Sequence, residues 1–184
     1  MAENVEKIRL GSGKLYCMEF TGTLPEISAI CVDKNRLGYI QGGATLEYKP
    51  SFYEAKDDLG YVSKSILTEE EVTLKSGVLT WNGATLEKLC STARVSEDKS
   101  KKLRTVKIGG AGNANGKKYV LCFHHSDKID GDVWIMIVGT NQNGFDIAFL
   151  KDKETVIDAE FKALPGDKEG TLVTFVEETE KTPS

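Results

Sequence analysis

Residues 155–177 read TVIDAEFKALPGDKEGTLVTFVE, and this stretch predicts the fold class. In its first half, apolar and charged side chains alternate: Ile157, Ala159, Phe161 and Ala163 fall on one side, and Asp158, Glu160 and Lys162 on the other. A period of two is typical of a β-strand with one dry face and one wet face. The segment LPGD at 164–167 interrupts the alternation, and apolar residues resume after Gly170. The stretch therefore predicts two strands joined by a tight reversal, which is an antiparallel hairpin.

The bulk composition is that of an ordinary globular chain. Its 184 residues are 40% hydrophobic and 28% charged, which suits one domain with a real core. The formal net charge is -4, which argues against a protein that grips nucleic acid through phosphate contacts. The longest clear apolar run, Val133–Val138, is too short to span a membrane. The first ten residues have no apolar signal-peptide core, so we expect the chain to fold in the cytoplasm.

Turn signals and apolar alternation predict a chain made mostly of strands. Besides the two strands near the C-terminus, we expect strands at residues 15–20, 39–48, 62–67, 103–108, 118–124, 133–138 and 145–150. Pro50 is expected to interrupt the strand that precedes it, and the charged run at 96–102 is expected to be a solvated loop. We expect an N-terminal arm at 1–13, a single β-rich domain at 14–177 and a flexible C-terminal tail at 178–184.

One helix is predicted, and it begins at Asn82. Asparagine is a favoured N-cap, and Leu86, Leu89, Cys90 and Ala93 follow it at helical spacing. This single apolar stripe implies roughly three turns. One helix among many strands is expected to cover one face of a sheet. The pattern therefore predicts a mainly β, antiparallel fold with one flanking α-helix.

Several segments carry residues capable of chemistry, and each is better explained by structure. The run GGAGNANGKK at 109–118 resembles a phosphate-binding loop, but Lys118 stands where Ser or Thr should hold magnesium, and a strand follows instead of a helix. His124 and His125 are adjacent, so on a strand they point to opposite faces and cannot easily share a metal. The glutamates at 69–71 are explained as the wet face of a strand. The sequence therefore predicts no catalytic residue, no cofactor and no metal, and we expect the protein not to be an enzyme.

Three stretches together resemble one known family. They are LGYIQGGATLEY at 37–48, TEEEVTLKSGVLTWNGATLEKL at 68–89, and FKALPGD followed by GTLVTF within 161–175. In order and spacing they are similar to the tail tube proteins, or major tail proteins, of long-tailed bacteriophages of the siphophage type. The second stretch is similar to the long strand of that family running into its single helix, and the third is similar to its closing hairpin.

The resemblance implies a β-sandwich or partial barrel with one flanking helix, and a structural role in the virion tail. Subunits would assemble in the host cytoplasm into hexameric rings, and the rings would stack into a tube that carries DNA from capsid to cell. An open antiparallel sheet leaves unpaired edge strands, which a closing head-to-tail ring would pair with the next subunit. The partners would be further copies of the chain, the tape measure protein and the tail terminator, and DNA would pass without specific binding.

Two groups of residues gain a role from this resemblance. The polar link Lys56-Asp57-Asp58-Leu59-Gly60 lies between strand-like runs, and it is either a plain solvated loop or a projecting loop that meets a neighbouring subunit or ring. A tube lining of negative potential would repel DNA phosphates. The candidates for that lining are Glu47, Glu69, Glu71, Asp158 and Glu160.

Three alternatives stay open. Another ring-forming tail protein, such as a terminator or completion protein, would make single rings without polymerising. A β-sandwich module that binds carbohydrate or a host surface would present exposed aromatic clusters. A small all-β enzyme would use the region of His124 and His125.

Overall fold

The computed structural model describes residues 6–179, which form ten strands and two short α-helices. The strands are β1 (Lys14–Glu19), β2 (Arg36–Gly38), β3 (Ile40–Lys56), β4 (Ser63–Val78), β5 (Arg94–Asp98), β6 (Leu103–Lys107), β7 (Tyr119–His125), β8 (Val133–Asn141), β9 (Ile157–Leu164) and β10 (Thr174–Glu177). The helices are α1 (Ile27–Ile30) and α2 (Gly83–Leu89). The prediction of a mainly β, antiparallel fold is confirmed.

Eight strands form one antiparallel sheet in the order β2-β1-β7-β8-β9-β4-β3, with β10 also paired to β8. The remaining two strands, β5 and β6, pair with each other. β2 and β3 stand at opposite ends of this order, yet Tyr39 alone separates them in the chain. The sheet must therefore curl until its two edges approach each other, in the manner of a partial barrel. As the apolar run at 133–138 predicts, β8 is central and has partners on both edges.

The larger hydrophobic core lies on the face to which all strands of the main sheet except β10 contribute. Its fully buried members include Leu15, Val72, Leu74, Leu89, Leu121, Ile137, Ile157 and Phe161. A second cluster lies on the other face, where Ile30 of α1 packs with Tyr16 and Cys122 over β1, β7 and β8. Within residues 6–179, no such cluster covers the rest of that second face, on β9, β4 and β3. The alternation in the sequence reflects this difference between the two faces.

The prediction of a hairpin at 155–177 is wrong. Leu164, the last residue of β9, pairs with Val138 of β8. Thr174, the first residue of β10, pairs with Met136, which is two residues away from Val138 in β8. β9 and β10 therefore lie end to end against β8 and do not pair with each other. A period of two identifies a strand, but it does not identify the neighbour of that strand.

The segment at 165–173 leaves the sheet edge and returns to it. The predicted reversal does exist within this segment, because Gly166 donates its backbone N–H to the Thr171 carbonyl oxygen at 2.9 Å. Asp167 stabilises the turn by accepting the N–H of Thr171 and that of Glu169, each at 3.0 Å. The reversal thus lies in a loop at 165–173 that connects β9 to β10, and both strands pair with the same edge of β8.

Three predicted strand boundaries are also corrected. β3 continues through Pro50, because the missing N–H of proline costs little on an edge strand. The charged run at 96–102 was expected to be a loop, but its first residues belong to β5, which pairs with β6. Residues 145–150 are not a strand and contain only an isolated bridge. Their apolar pattern arises because Phe145 and Ile147 pack against the larger core from an irregular segment.

The predicted helix begins where the sequence places it and ends earlier. Asn82 Oδ1 accepts the N–H of Ala84 at 2.8 Å and that of Thr85 at 3.3 Å, which confirms the N-cap. The helix ends at Leu89 because the backbone of Cys90 is extended, so it has about two turns and not three. A second helix, α1, was not predicted, since four residues are too few to give a helical period.

The two ends of the described chain lie close to each other. The predicted terminal segments include residues 1–5 and 180–184, which lie outside the described residues. Within the N-terminal segment, Arg9 donates to the Gly131 carbonyl oxygen at 2.9 Å and forms an ion pair with Glu177 at 3.0 Å. The N-terminal segment is therefore attached to the sheet near the end of β10.

Candidate functional site

The hairpin of β3 and β4 divides into two halves that differ in burial. We define the inner hairpin as residues 40–47 and 71–78, and the outer hairpin as residues 48–70. In the inner hairpin, Val72 and Leu74 are 1% exposed. Every residue of the outer hairpin is exposed, although cross-strand pairing continues to the ends of both strands. The outer hairpin therefore projects from the body of the molecule, and no other segment of the described chain covers it.

The outer hairpin carries a large share of the exposed apolar side chains. Of the 17 large hydrophobic residues that are exposed in the described chain, eight lie in it. They are Tyr48, Phe52, Tyr53, Leu59, Tyr61, Val62, Ile66 and Leu67. A two-stranded ribbon is marginally stable alone in water, and an exposed apolar edge invites another chain to pair with it. The outer hairpin is therefore a candidate interaction surface.

The apolar pairs of the outer hairpin lie on both of its faces. Phe52 pairs with Leu67, and Tyr53 pairs with Ile66. Side chains directly opposite each other share a face, and neighbours along a strand point to opposite faces. A β-bulge at Thr68 follows these pairs along β4. Each face of the outer hairpin therefore carries exposed apolar side chains, whereas an ordinary surface hairpin has one polar face.

The predicted loop Lys56–Gly60 forms the tip of the outer hairpin. Asp57 orders this tip, because its carboxylate accepts the N–H of Val62 at 2.7 Å and that of Leu59 at 3.3 Å. Gly60 donates its N–H to the Asp57 carbonyl oxygen at 3.0 Å and adopts φ 73, a conformation that favours glycine. The tip is thus a defined turn and not a loose link.

All five predicted carboxylates lie on one face of β3, β4 and β9, as the strand registers require. Three lysines share this face. We call it the ladder face; its charged residues are Glu47, Lys49, Glu69, Glu71, Lys75, Asp158, Glu160 and Lys162. The ladder face and the surface under α1 belong to the same side of the main sheet. The structure therefore brings the predicted acidic residues together on the part of that side that α1 does not cover.

Two lysines of the ladder face pair with carboxylates on neighbouring strands, and the third, Lys49, pairs with Glu47 of its own strand. Lys162 Nζ lies 2.9 Å from Glu71 Oε2, and Lys75 Nζ lies 3.5 Å from Glu47 and 3.6 Å from Glu160. The hydrogen bond and charge of Lys162 hold the pKa of Glu71 below its ordinary value. The side chains of these pairs are 32–43% exposed, so water still screens them and they contribute to the charge pattern of the surface more than to stability.

Sequence reasoning missed the role of these lysines. Alternation places each lysine on the wet face of its own strand, but only the register between strands decides which carboxylate it meets. Among residues 6–179, Glu69 and Asp158 have no ion-pair partner. Five carboxylates against three ammonium groups leave the ladder face with net negative charge.

His124 and His125 make separate contacts on opposite sides of β7. His124 Nε2 lies 2.7 Å from Asp132 Oδ2, and its ring stacks on Trp134 with centroids 5.0 Å apart. His125 points the other way and donates from Nδ1 to the Ser12 carbonyl oxygen at 2.7 Å. No group of three or more metal-capable side chains occurs in the described part of the chain. The glycine-rich run at 109–118 contains a three-residue 3-10 helix, Ala111–Asn113, and leads into strand β7, so it is not followed by an α-helix as a phosphate-binding loop would be.

The chain is therefore a mainly β protein with a projecting apolar hairpin and an open, acidic sheet face. A scan against protein-family models finds no matching family, and a search of the curated proteins finds no matching sequence. Between residues 6 and 179, no helix is long and apolar enough to cross a membrane.

Proposed function

We propose that this protein is a structural subunit that polymerises, and specifically a tail tube subunit of a long-tailed bacteriophage. In this proposal six copies form a ring, and rings stack into a hollow tube in the virion tail through which DNA passes. The curled antiparallel sheet with α2 packed against it supports a tail tube fold, as does the family resemblance of residues 37–48 and 68–89. Work is done by the assembled cylinder and not by a pocket in one subunit.

The observation that carries the proposal is the exposed outer hairpin. A ribbon of 23 consecutive exposed residues bearing eight large apolar side chains is a liability for a monomer in water. Contact with another molecule removes that liability. The outer hairpin continues the strand pairing of the well-packed inner hairpin, so it extends outward to where a neighbouring subunit would lie. A polymer of identical subunits offers each outer hairpin a partner.

The free edge of the sheet gives a second reason to expect lateral assembly. β3 ends the strand order, and within the described residues its outer edge has no strand partner from position 41 onward. Unpaired backbone groups along a long edge strand favour pairing with the next subunit. A head-to-tail arrangement that closes on itself satisfies every such edge and gives a ring.

The ladder face is suited to lining a channel for DNA. Its carboxylates outnumber its lysines, and a negative lining repels phosphates and keeps the polymer from adhering. In this proposal Glu47, Glu69, Glu71, Asp158 and Glu160 face the lumen. The three lysines moderate the field without reversing its sign.

One observation favours a second candidate function. Tyr48, Phe52, Tyr53 and Tyr61 of the outer hairpin are exposed, and exposed aromatic rings are typical of carbohydrate-binding surfaces. A module that binds carbohydrate or a host surface therefore remains the alternative. Rings on both faces of a narrow ribbon suit a protein contact better than a flat sugar platform.

Electron microscopy of the concentrated, purified chain tests the proposal. We expect long hollow filaments built of stacked rings. Single rings that do not stack would indicate a terminator or completion protein instead. Globular particles that bind glycans on an array would favour the carbohydrate-binding module and contradict the proposal.

A further inference from the structure

We propose that Cys31 and Cys122 are a redox-active pair, and that they close to an intramolecular disulfide when the protein meets an oxidised small-molecule disulfide. The bond fastens the segment that carries α1 to strand β7 of the main sheet. This inference concerns the body of the molecule, and it goes beyond the proposed function without depending on it.

The sulfur atoms of these two cysteines are in contact in the folded chain. Both cysteines are free thiols, and Cys31 Sγ lies 3.6 Å from Cys122 Sγ. A covalent S–S bond requires a closer approach of the two sulfurs. Cys31 directly follows α1 and belongs to no strand. The approach therefore needs movement on the α1 side only, and the strand pairing of β7 stays intact.

The fold brings together two residues that are 91 positions apart. Cys122 of β7 faces the second hydrophobic cluster, as does Val120 two residues before it. After β1 the chain crosses this face of the sheet, where Ile30 of α1 is 0% exposed and packs in the same cluster. The burial of Ile30 sets the position of the next residue, so Cys31 is held beside Cys122 by the packing of its neighbour.

The two thiols differ in their access to solvent, and this difference sets the order of the reaction. Cys31 is partly buried, whereas Cys122 is 0% exposed. A small disulfide reagent therefore meets Cys31 first, and Cys122 reacts only with the sulfur that already lies beside it.

The reaction consists of two thiol–disulfide exchanges. In the first, the Cys31 thiolate attacks the reagent, a bond forms between Cys31 Sγ and one reagent sulfur, and the other reagent sulfur leaves as a thiolate. In the second, the Cys122 thiolate attacks Cys31 Sγ and releases the remaining half of the reagent. Two protein thiols are oxidised, one reagent disulfide is reduced to two thiols, and the two cysteine protons end on those thiols.

The surroundings of the protein decide whether the pair is open or closed. Burial raises the pKa of the Cys31 thiol and that of the Cys122 thiol. The thiolate is the attacking species, so the exchange is slow at neutral pH and faster in mildly alkaline solution. Disulfides persist in oxidising surroundings and are rare where cellular thiols keep cysteines reduced. The pair thus stays open in a reducing compartment and closes outside it.

The other two cysteines are not placed to compete. Cys17 is 1% exposed and belongs to the larger core, on the opposite side of β1 from the second cluster. Cys90 Sγ contacts Thr92 Oγ1 at 3.4 Å. Within residues 6–179, Cys31 and Cys122 are the only two cysteines whose sulfur atoms are in contact.

Oxidation of the full chain tests the inference. The purified protein is incubated without denaturant with oxidised glutathione at mildly alkaline pH, and the remaining thiols are then alkylated in denaturant. Peptide mass mapping should find one intramolecular bond between Cys31 and Cys122, with Cys17 and Cys90 alkylated.

The disulfide should also stabilise the monomer against heat. The thermal midpoint should rise by about 5–15 °C over that of the reduced chain, because a cross-link between residues 91 positions apart restricts the unfolded state. Dithiothreitol should reverse the rise.

Single variants test the order of the two exchanges. In Cys122→Ala, glutathione should remain attached to Cys31, because no second thiol displaces it. In Cys31→Ser, glutathione should attach to Cys122 at least about tenfold more slowly, since reagents reach a buried thiol poorly. Cys31 is partly exposed, so Cys31→Ser keeps the test available if truncation of Cys122 unfolds the chain.

Cys90→Ser is the matched control, because it removes a partly buried cysteine outside the pair. It should leave the bond and the thermal shift unchanged, and loss of the bond in this variant would overturn the inference. The same holds for a wild-type chain that forms no bond between Cys31 and Cys122, keeps glutathione on Cys31, uses Cys17 or Cys90 instead, or shows no thermal shift after oxidation. All these results are read from the monomer, so they leave the tail tube proposal as it stands.

Discussion

The inner and outer halves of the β3–β4 hairpin are built from the same two strands and differ in burial: the inner half packs into the core, and the outer half is exposed. In the inner hairpin, Leu46 and Leu74 pair across the strands and pack into the larger core. In the outer hairpin, Phe52 and Leu67 form an equivalent pair on the same side, with nothing above them in the described chain. The difference lies in whether the rest of the chain supplies a covering layer.

This comparison teaches that strand pairing and burial are separate matters. The backbone ladder continues along both halves, so hydrogen bonding does not distinguish them. Apolar side chains in the inner hairpin are buried and stabilise the monomer, whereas those in the outer hairpin are exposed in the described chain. Four predictions follow from this division.

Truncating the same residue type in each half should give the largest difference. Leu74→Ala should lower the free energy of unfolding by about 2–5 kcal/mol, because it leaves a cavity in the core. Leu67→Ala should change it by less than about 0.5 kcal/mol, since this side chain is 44% exposed. Urea denaturation of the monomer measures both values. Equal losses would mean that the outer hairpin is packed against the body in solution.

Deleting the tip should separate assembly from folding. Removal of Lys56–Gly60 should shorten tubes by about tenfold or more, because the end of the interaction surface is lost. The free energy of unfolding should change by less than about 1 kcal/mol, since the tip is an exposed loop. Tube length is measured by electron microscopy. Shortening the exposed β5–β6 turn at 99–101 is the control, and tubes of normal length from the tip deletion would refute the prediction.

Reversing charge on the ladder face should make assembled tubes retain DNA. Glu69→Lys with Asp158→Lys changes the face to three carboxylates and five lysines, so phosphates are attracted and counterions are released on binding. Retention of double-stranded DNA should rise by about tenfold at low salt and fall again as salt is added. Reversal of Glu26 and Glu169, which are exposed outside the ladder face, is the control. Unchanged retention in the first variant would show that the ladder face does not line the tube.

The smallest effect concerns the ion pairs of the ladder face. Lys162 lowers the pKa of Glu71 from its ordinary value of 4.5, so the pair contributes stability above that pH. This contribution is lost as the pH falls through the lowered pKa in the folded state. Lys162→Met should raise the pKa of Glu71 toward 4.5 and remove that part of the acid sensitivity.

A carbon-detected NMR titration of the Glu71 carboxylate measures this shift. Lys99→Met is the control, since Lys99 is exposed in the turn between β5 and β6, which form a separate two-stranded sheet. An unchanged pKa of Glu71 in Lys162→Met would mean that the ion pair does not persist in solution.

Much of the local structure could be predicted from the sequence. Asn82 marks the start of α2 because its side chain can cap a helix, and the alternation at 157–163 identifies β9. Both signals depend only on residues that are close together in the chain. The pairing of β9 could not be predicted, since a strand carries the same alternation whether its neighbour is a hairpin partner or a distant strand. The irregular packing of Phe145 and Ile147 was missed for a similar reason: apolar residues look alike in a strand and in a packed loop.

The candidate site divides in the same way. The tip at 56–60 could be located from its polar, glycine-containing composition. The five carboxylates of the ladder face were predicted individually, and the register brings them onto one surface. The lysine partners were not predicted, because Lys75 and Lys162 meet their carboxylates across strands that are far apart in sequence.

The sequence by itself determined the class of the fold, the start of α2 and the position of the hairpin tip, because these depend on residues close together in the chain. Tertiary structure alone decided that β9 and β10 share one edge of β8, that the sheet curls back on itself, and that half of the long hairpin has no cover. The physical reason is that burial depends on which distant segment packs against a strand. The pattern of side chains along one strand does not indicate which segment that is.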